Sequence, residues 1–201
     1  MNNNDTFSYF MLGMVILGSL YYYFENYNEF DLKCIVSQHD GNKYCVRERS
    51  KIKDAADLLA KVTEKCQQLA KYVEQKYPDN DNVKRLCKGF KKTVIKETLP
   101  TSKYTAYSEN KGEKIAFCLN KNKGNNDNLI DENTLTFVAI HEMSHIMTKS
   151  IGHKTEFWDN FQFLLENAKE AGIHKPVDYS KEPQEYCGMK ITDNPYFDKN
   201  D

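Results

Sequence analysis

The sequence lacks an excess of charge of either sign: 28 Lys and Arg stand against 29 Asp and Glu in 201 residues, a formal charge of −1. That balance excludes a disordered polyelectrolyte, and it supplies no overall basic field to draw the chain onto nucleic acid, so no nucleic-acid partner is expected. Glycine and proline are scarce, at nine and five, which excludes a collagen-like or linker-dominated chain. Arginine is confined to Arg47, Arg49 and Arg85, and lysine supplies the other basic residues. The six cysteines form no CxxC pair, so neither a zinc ribbon nor a compact disulfide scaffold is indicated, and reduced, mostly buried thiols are expected. There is no internal repeat. The length is that of one ordinary domain.

One long apolar run is present. From Phe7 to Phe24 the chain reads FSYFMLGMVILGSLYYYF, eighteen residues without a charge, which as a helix would rise about 27 Å. Asp5 and Glu25 bracket it, and Tyr21, Tyr22 and Tyr23 stand where an aromatic belt would meet lipid headgroups. The chain starts MNNND, without basic residues, and YYYFEN offers no small-residue cleavage site, which argues against a removed signal peptide. An uncleaved transmembrane anchor through residues 7–24 is therefore expected, giving a single-pass membrane protein. No basic residue precedes Phe7, whereas Lys33 and Lys43 follow, which places the C-terminal domain on the cytosolic side. The expected division is an anchor over 1–25, a polar stalk over 26–50 with a turn at Asp40-Gly41-Asn42, and a domain over 51–201.

Within that domain, Leu58, Val62, Cys66, Leu69 and Val73 recur at helical spacing and predict a helix from Asp54 to about Lys76. A shorter helix carrying Val83, Leu86, Cys87 and Phe90 follows, with Asn82 as an acceptable cap. Three β-prone runs come next: Thr93–Thr98, Lys103–Ser108 and Lys114–Leu119, the last two reading as a hairpin. Asn120–Asn128 is a polar loop. A helix capped by Asp131 runs to about Lys149, apolar around most of its circumference and so buried. Another spans Thr155–Ala171 and stops at Gly172. The tail from Ile173 reads as an extended segment wrapped over the domain.

The buried helix contains His141-Glu142-Met143-Ser144-His145, an HExxH sequence. Residues four apart project from one helix face, so both imidazoles can hold one metal ion with Glu142 beside them. Neutral imidazole suits Zn²⁺, and three protein ligands with an open fourth position mark a catalytic site. Zinc lowers the pKa of a bound water towards about 7, and Glu142 would take its proton as general base; the chemistry is peptide-bond hydrolysis. His153, after a turn at Gly152, ranks first as third ligand, with Glu156 or Glu166 as the alternative. The spacing is not that of a metzincin, because Thr148 and Ile151 occupy the positions of its glycine and third histidine. Met189 is read as packing, and His39 and His174 as solvent-exposed. Tyr104, Tyr107, Tyr179 and Tyr186 are candidate oxyanion stabilisers.

The run HEMSHIMTKSIGHKTEFWDNF resembles the WLM-type and SprT-like zinc metallopeptidases, with His153, Phe157 and Trp158 at the third-ligand and aromatic positions. Seven residues separate the second and third histidines, where those families commonly have five. Over residues 40–197, segments such as KYCVRER, IHEMSHIMTKSIGHKTEFW and PQEYCGM resemble a metallopeptidase group found in large nucleocytoplasmic DNA viruses. The resemblance implies a small α+β zincin-like domain, with the HExxH helix packed on a short sheet, one Zn²⁺ per chain, and a protein or peptide substrate. It also implies an edge strand above the zinc, expected at Lys114–Leu119, that pairs with extended substrate. The resulting expectation is a membrane-anchored zinc metallopeptidase of a virion or host membrane; the alternative is an inactive, zinc-binding structural membrane protein of a virion.

Overall fold

Every third or fourth residue of the segment from Ile52 to Lys76 is apolar, and it forms a single helix with Ala55, Leu59, Val62, Cys66, Leu69 and Val73 buried along one stripe. The computed structural model describes residues 3–26, 32–122 and 128–198. In chain order the elements are α1 (Asn3–Asn26), β1 (Leu32–Val36), β2 (Lys43–Arg47), α2 (Ile52–Lys76), α3 (Asp81–Phe90), β3 (Val94–Glu97), β4 (Ala106–Glu109), β5 (Lys114–Phe117), α4 (Glu132–Met147), α5 (Thr155–Glu170), β6 (Gln184–Tyr186) and β7 (Met189–Ile191), followed by a 3-10 turn at Pro195–Phe197.

Helix α4 is the centre of the domain. Asp131 caps it, its carboxylate accepting from Thr134 N–H, and the helix packs against α2, α3, α5 and strand β4. Between α3 and α4 the approach is close enough to require glycine: a Cβ on Gly89 would lie 2.5 Å from Ile146 Cγ2 and 2.6 Å from the Lys111 carbonyl oxygen. Asn80 caps α3, accepting from Asn82 and Val83 N–H; the cap expected at Asn82 therefore lies two residues earlier.

The three-stranded sheet has the order β3-β5-β4, with β5 parallel to β3 and antiparallel to β4. Strand β5 is thus central, with β3 and β4 at the two edges, which corrects the expectation that Lys114–Leu119 forms an edge. The physical signal is burial on both faces: Ile115 and Phe117, and also Ala116 and Cys118, are fully buried.

Residues 32–47, within the segment assigned to a stalk, form an antiparallel hairpin, β1 with β2, whose strands are joined by a Cys34–Cys45 disulfide. A second disulfide links Cys118, just past β5, to Cys187 between β6 and β7. Four of the six cysteines expected as reduced thiols are therefore bridged, while Cys66 and Cys87 are free. Beneath the hairpin, the fully buried Glu97 carboxylate accepts from the Arg47 backbone N–H at 2.7 Å and pairs with the Arg47 and Arg49 guanidiniums. Arg47 also donates to the Thr98 and Leu99 carbonyls, and Arg49 to Asn120 Oδ1.

The anchor expected over residues 7–24 is overturned. Helix α1 covers that run, but among the described residues no helix is long and apolar enough to cross a membrane. Tyrosines and serines interrupt the run at both ends; Phe10 to Gly18, the part between Tyr9 and Ser19, rises only about 14 Å against a hydrocarbon core of about 30 Å. The single-pass membrane location, the membrane as partner through residues 7–24, and the membrane-anchored form of the enzyme fall with it. Part of the expected loop, residues 123–127, lies outside the described residues.

Candidate metal centre

One helical turn separates His141 from His145 on α4, and their ring centroids stand 5.0 Å apart. His153, from the segment between α4 and α5, closes the triangle at 5.0 Å from His141 and 4.8 Å from His145. The candidate ligand atoms of the three rings all lie within 4.8 Å of one another, and Nε2 of His153 is 3.1 Å from Nε2 of His141. Tetrahedral zinc with Zn–N bonds near 2.05 Å places its ligand nitrogens about 3.3 Å apart, so the cluster could coordinate such an ion. Burial pushes the His141 pKa down to about 3 and that of His145 to about 4, the neighbouring imidazoles adding to both shifts. Both rings are therefore neutral near pH 7, the form that binds metal.

Glu142 follows His141 into the interior, where it is 4 % exposed and its Oε2 has no hydrogen-bond partner among the described residues. Burial pushes its carboxyl up to about 8. A buried carboxylate oxygen with no donor facing it fits a site whose remaining occupants are a cation and its water. Tyr186 lies beside it: its hydroxyl donates to the Thr105 carbonyl at 3.1 Å, and burial together with the Glu142 charge raises its pKa.

Phe157, on the first turn of α5, is fully buried and its ring lies 4.9, 4.4 and 4.6 Å from the rings of His141, His145 and His153. It is the apolar pivot on which the three imidazoles converge. The segment between His145 and His153 is held by side chains from three parts of the fold: the β4–β5 turn, α3 and α5. Lys111 Nζ donates to the carbonyls of His145, Thr148 and Ser150 at 3.2, 2.8 and 3.0 Å. Arg85 donates to the Met147 carbonyl and Asn160 to Thr148 Oγ1. Gly152, at φ +82°, supplies the left-handed turn before His153.

The same segment accounts for Glu156. Its two carboxylate oxygens accept from Lys149 and Ser150 N–H at 3.0 and 3.1 Å, bonds that pull its pKa down to about 2. It braces the loop instead of joining the imidazoles, and Glu166 is exposed further along α5. The four tyrosines separate: Tyr186 adjoins Glu142, Tyr104 and Tyr107 line the groove on the other side of the cluster, and Tyr179 packs edge-on to Phe137 at 4.9 Å. His39 pairs with Glu64 at 2.7 Å near the surface. His174, expected in solvent, is buried against Phe137, with neither ring nitrogen hydrogen-bonded. Met189, expected to be packing, is half-exposed.

Lys111 and Arg85 carried no sequence signal. Lys111 acts through a positive-φ turn, with Asn110 and Gly112, that aims its amine at the end of α4. Phe157 was visible only as an aromatic following the third histidine.

No protein-family model matches the chain. It is 25 % identical over 185 residues to an uncharacterized protein of Acanthamoeba polyphaga mimivirus, covering 90 % of this chain and 93 % of that one. Shorter matches reach uncharacterized proteins of invertebrate iridescent virus 6 (32 % over 62 residues, 31 % of this chain and 35 % of that one) and invertebrate iridescent virus 3 (36 % over 61 residues, 29 % and 36 %). Among solved structures there is a distant, partial match to Wss1 from S. pombe. One crystal structure, of a point mutant, aligns at TM-score 0.41 and 19 % identity over 61 % of this chain and 92 % of that one. Another aligns at TM-score 0.33 and 25 % identity over 51 % and 81 %.

Proposed function

We propose that the chain is a zinc-dependent metallopeptidase in which His141, His145 and His153 hold one Zn²⁺ and Glu142 is the general base. The observation that carries this reading is the convergence of three imidazoles, two of them held neutral by burial, beside a buried carboxylate whose Oε2 faces no protein donor. Zinc at this position would polarise a peptide carbonyl and lower the pKa of water at its open coordination position.

The chain's own groups supply the rest. A groove runs between strand β4 and the cluster, lined by Tyr107, Ala106, His141, Glu142, His145 and His153. Cys118 N–H bonds the Thr105 carbonyl, and the alternation of an antiparallel ladder then turns the N–H and C=O of Ala106 and Ser108 towards the free edge. An extended peptide adding to that edge lies across the cluster, positioned by backbone hydrogen bonds. Glu142 Oε2 receives the proton of the attacking water and returns it to the departing amine, and its burial, which raises the carboxyl pKa to about 8, strengthens it as a proton acceptor.

The test is a pair of variants of the full chain. Glu142→Gln is expected to keep one zinc per chain by metal analysis while peptide cleavage falls at least about 100-fold. His153→Ala is expected to lose zinc to a chelator that the unsubstituted chain resists. A chain that binds no zinc at neutral pH, or Glu142→Gln cleaving at the unsubstituted rate, would refute the reading.

A further inference from the structure

Beside Glu142, on the side of the cluster away from the third histidine's loop, a cavity of about 300 Å³ opens between α4, α5 and the C-terminal hairpin. Phe137 and Val138 form its α4 wall, Trp158 and Phe161 its α5 wall, and Ile191 and Pro195 its third wall. The aromatic rings are packed, Phe137 to Phe161 at 5.2 Å and Trp158 to Phe161 at 6.4 Å. Trp158 nonetheless keeps 42 % of its surface exposed and Met189, also in the lining, 50 %. Among the described residues no lysine or arginine lines the cavity, and the charged groups that do are Glu142 and Asp193. Ala106, His141 and Glu142 belong to this cavity and also to the groove along β4. A peptide lying on the edge strand therefore passes the mouth of the cavity where it passes the cluster.

We infer that this cavity is the specificity pocket of the peptidase, taking one large apolar side chain, leucine or phenylalanine, from a residue adjoining the bond to be cut. The inference rests on the metallopeptidase reading and adds the substrate class to it. The volume is at the low end for ligand cavities and suits a single side chain. The acidic mouth and the lack of basic residues exclude acidic side chains. Transfer of a leucine or phenylalanine side chain from water into such a site favours it over glycine by about 10- to 100-fold.

The experiment uses the zinc-loaded full chain and internally quenched peptides that differ at one position flanking the cut, carrying Gly, Ala, Leu, Phe, Lys or Glu. The Leu and Phe peptides are expected to show kcat/KM about 10- to 100-fold above the Gly peptide. Ile191→Trp, which fills the cavity, is expected to bring the Phe-to-Gly ratio close to one. Ile191→Ala, which enlarges the cavity and places little strain on the fold, is expected to raise the preference for Phe over Leu. Binding is read separately with the Glu142→Gln chain, in which Trp158, the sole tryptophan, reports occupancy by its fluorescence. Equal affinity and equal cleavage across the panel would overturn the pocket and leave the peptidase intact. Tight binding of the Phe peptide with no cutting by the unsubstituted chain would overturn the peptidase reading and leave apolar recognition standing.

Discussion

Replacing Glu97 with glutamine tests whether the buried ion cluster holds the first hairpin to the domain. The Glu97 side chain is fully buried, and the Arg47 and Arg49 side chains it pairs with are 6 % and 2 % exposed. Burial pushes the carboxyl pKa up, while Arg49, the Arg47 backbone N–H and the Arg47 guanidinium pull it back. Glutamine keeps the shape and removes the charge that both guanidiniums share in a dry site. Breaking a buried pair in this way costs about 3–5 kcal/mol, a large share of the roughly 5–15 kcal/mol that stabilises a domain. At about 2–4 °C per kcal/mol for a chain of this size, the thermal midpoint should fall by roughly 6–20 °C. Calorimetry or circular dichroism measures it. The internal control is Lys33→Gln, which breaks the Lys33–Glu48 pair, exposed by 58 % and 77 %, and should move the midpoint by about 2 °C or less. If Glu97→Gln melts within that control's range, the cluster does not hold the hairpin and the reasoning fails.

Two further outcomes follow from groups outside the site. His174 is held down to about 4, chiefly by burial, against about 6.5 when unfolded; the unfolded chain therefore binds the extra proton between those values, and stability is present above pH 6.5 and drains away as pH falls towards 4. With metal chelated in both proteins, His174→Phe should flatten the acid limb by up to about 3 kcal/mol, read from urea midpoints at pH 7 and pH 4.5; identical limbs would refute it. Gly89→Ala forces a methyl against Ile146 and the Lys111 carbonyl, so it should destabilise by about 1–3 kcal/mol and, by shifting Lys111, weaken zinc retention. Unchanged zinc affinity would sever that link.

How much of this was legible in the residues depends on the distance over which each feature is encoded. The HExxH pairing is local: His141 and His145 face together because four residues span little more than a turn, and Asp131 announces the start of their helix. The position of β5 is not local, since it is made central by pairing with β3, whose partner residues lie 20 positions upstream. The Cys118–Cys187 disulfide was unreadable for the same reason, its ends being 69 residues apart, whereas Cys34–Cys45 spans 11 residues and is hidden only where its segment is read as a stalk and not as a hairpin. His174 looked like a loop residue because nothing adjacent shows that Phe137 and the end of α5 enclose it. The apolar run at 7–24 was legible as a helix, but its length in residues overstated its continuous hydrophobicity.

Where the third imidazole sits is decided by a phenylalanine and a lysine that do not belong to its own connection. Phe157 fixes the ring from one side, and Lys111 gathers three carbonyls of the preceding turn from the other. The count of residues spanning the two ends is thereby released from the geometry of coordination: the tether can lengthen by bulging outward, as exposed Ile151 does, while the nitrogen stays put. A connection of seven residues is thus compatible with the convergence of the three rings.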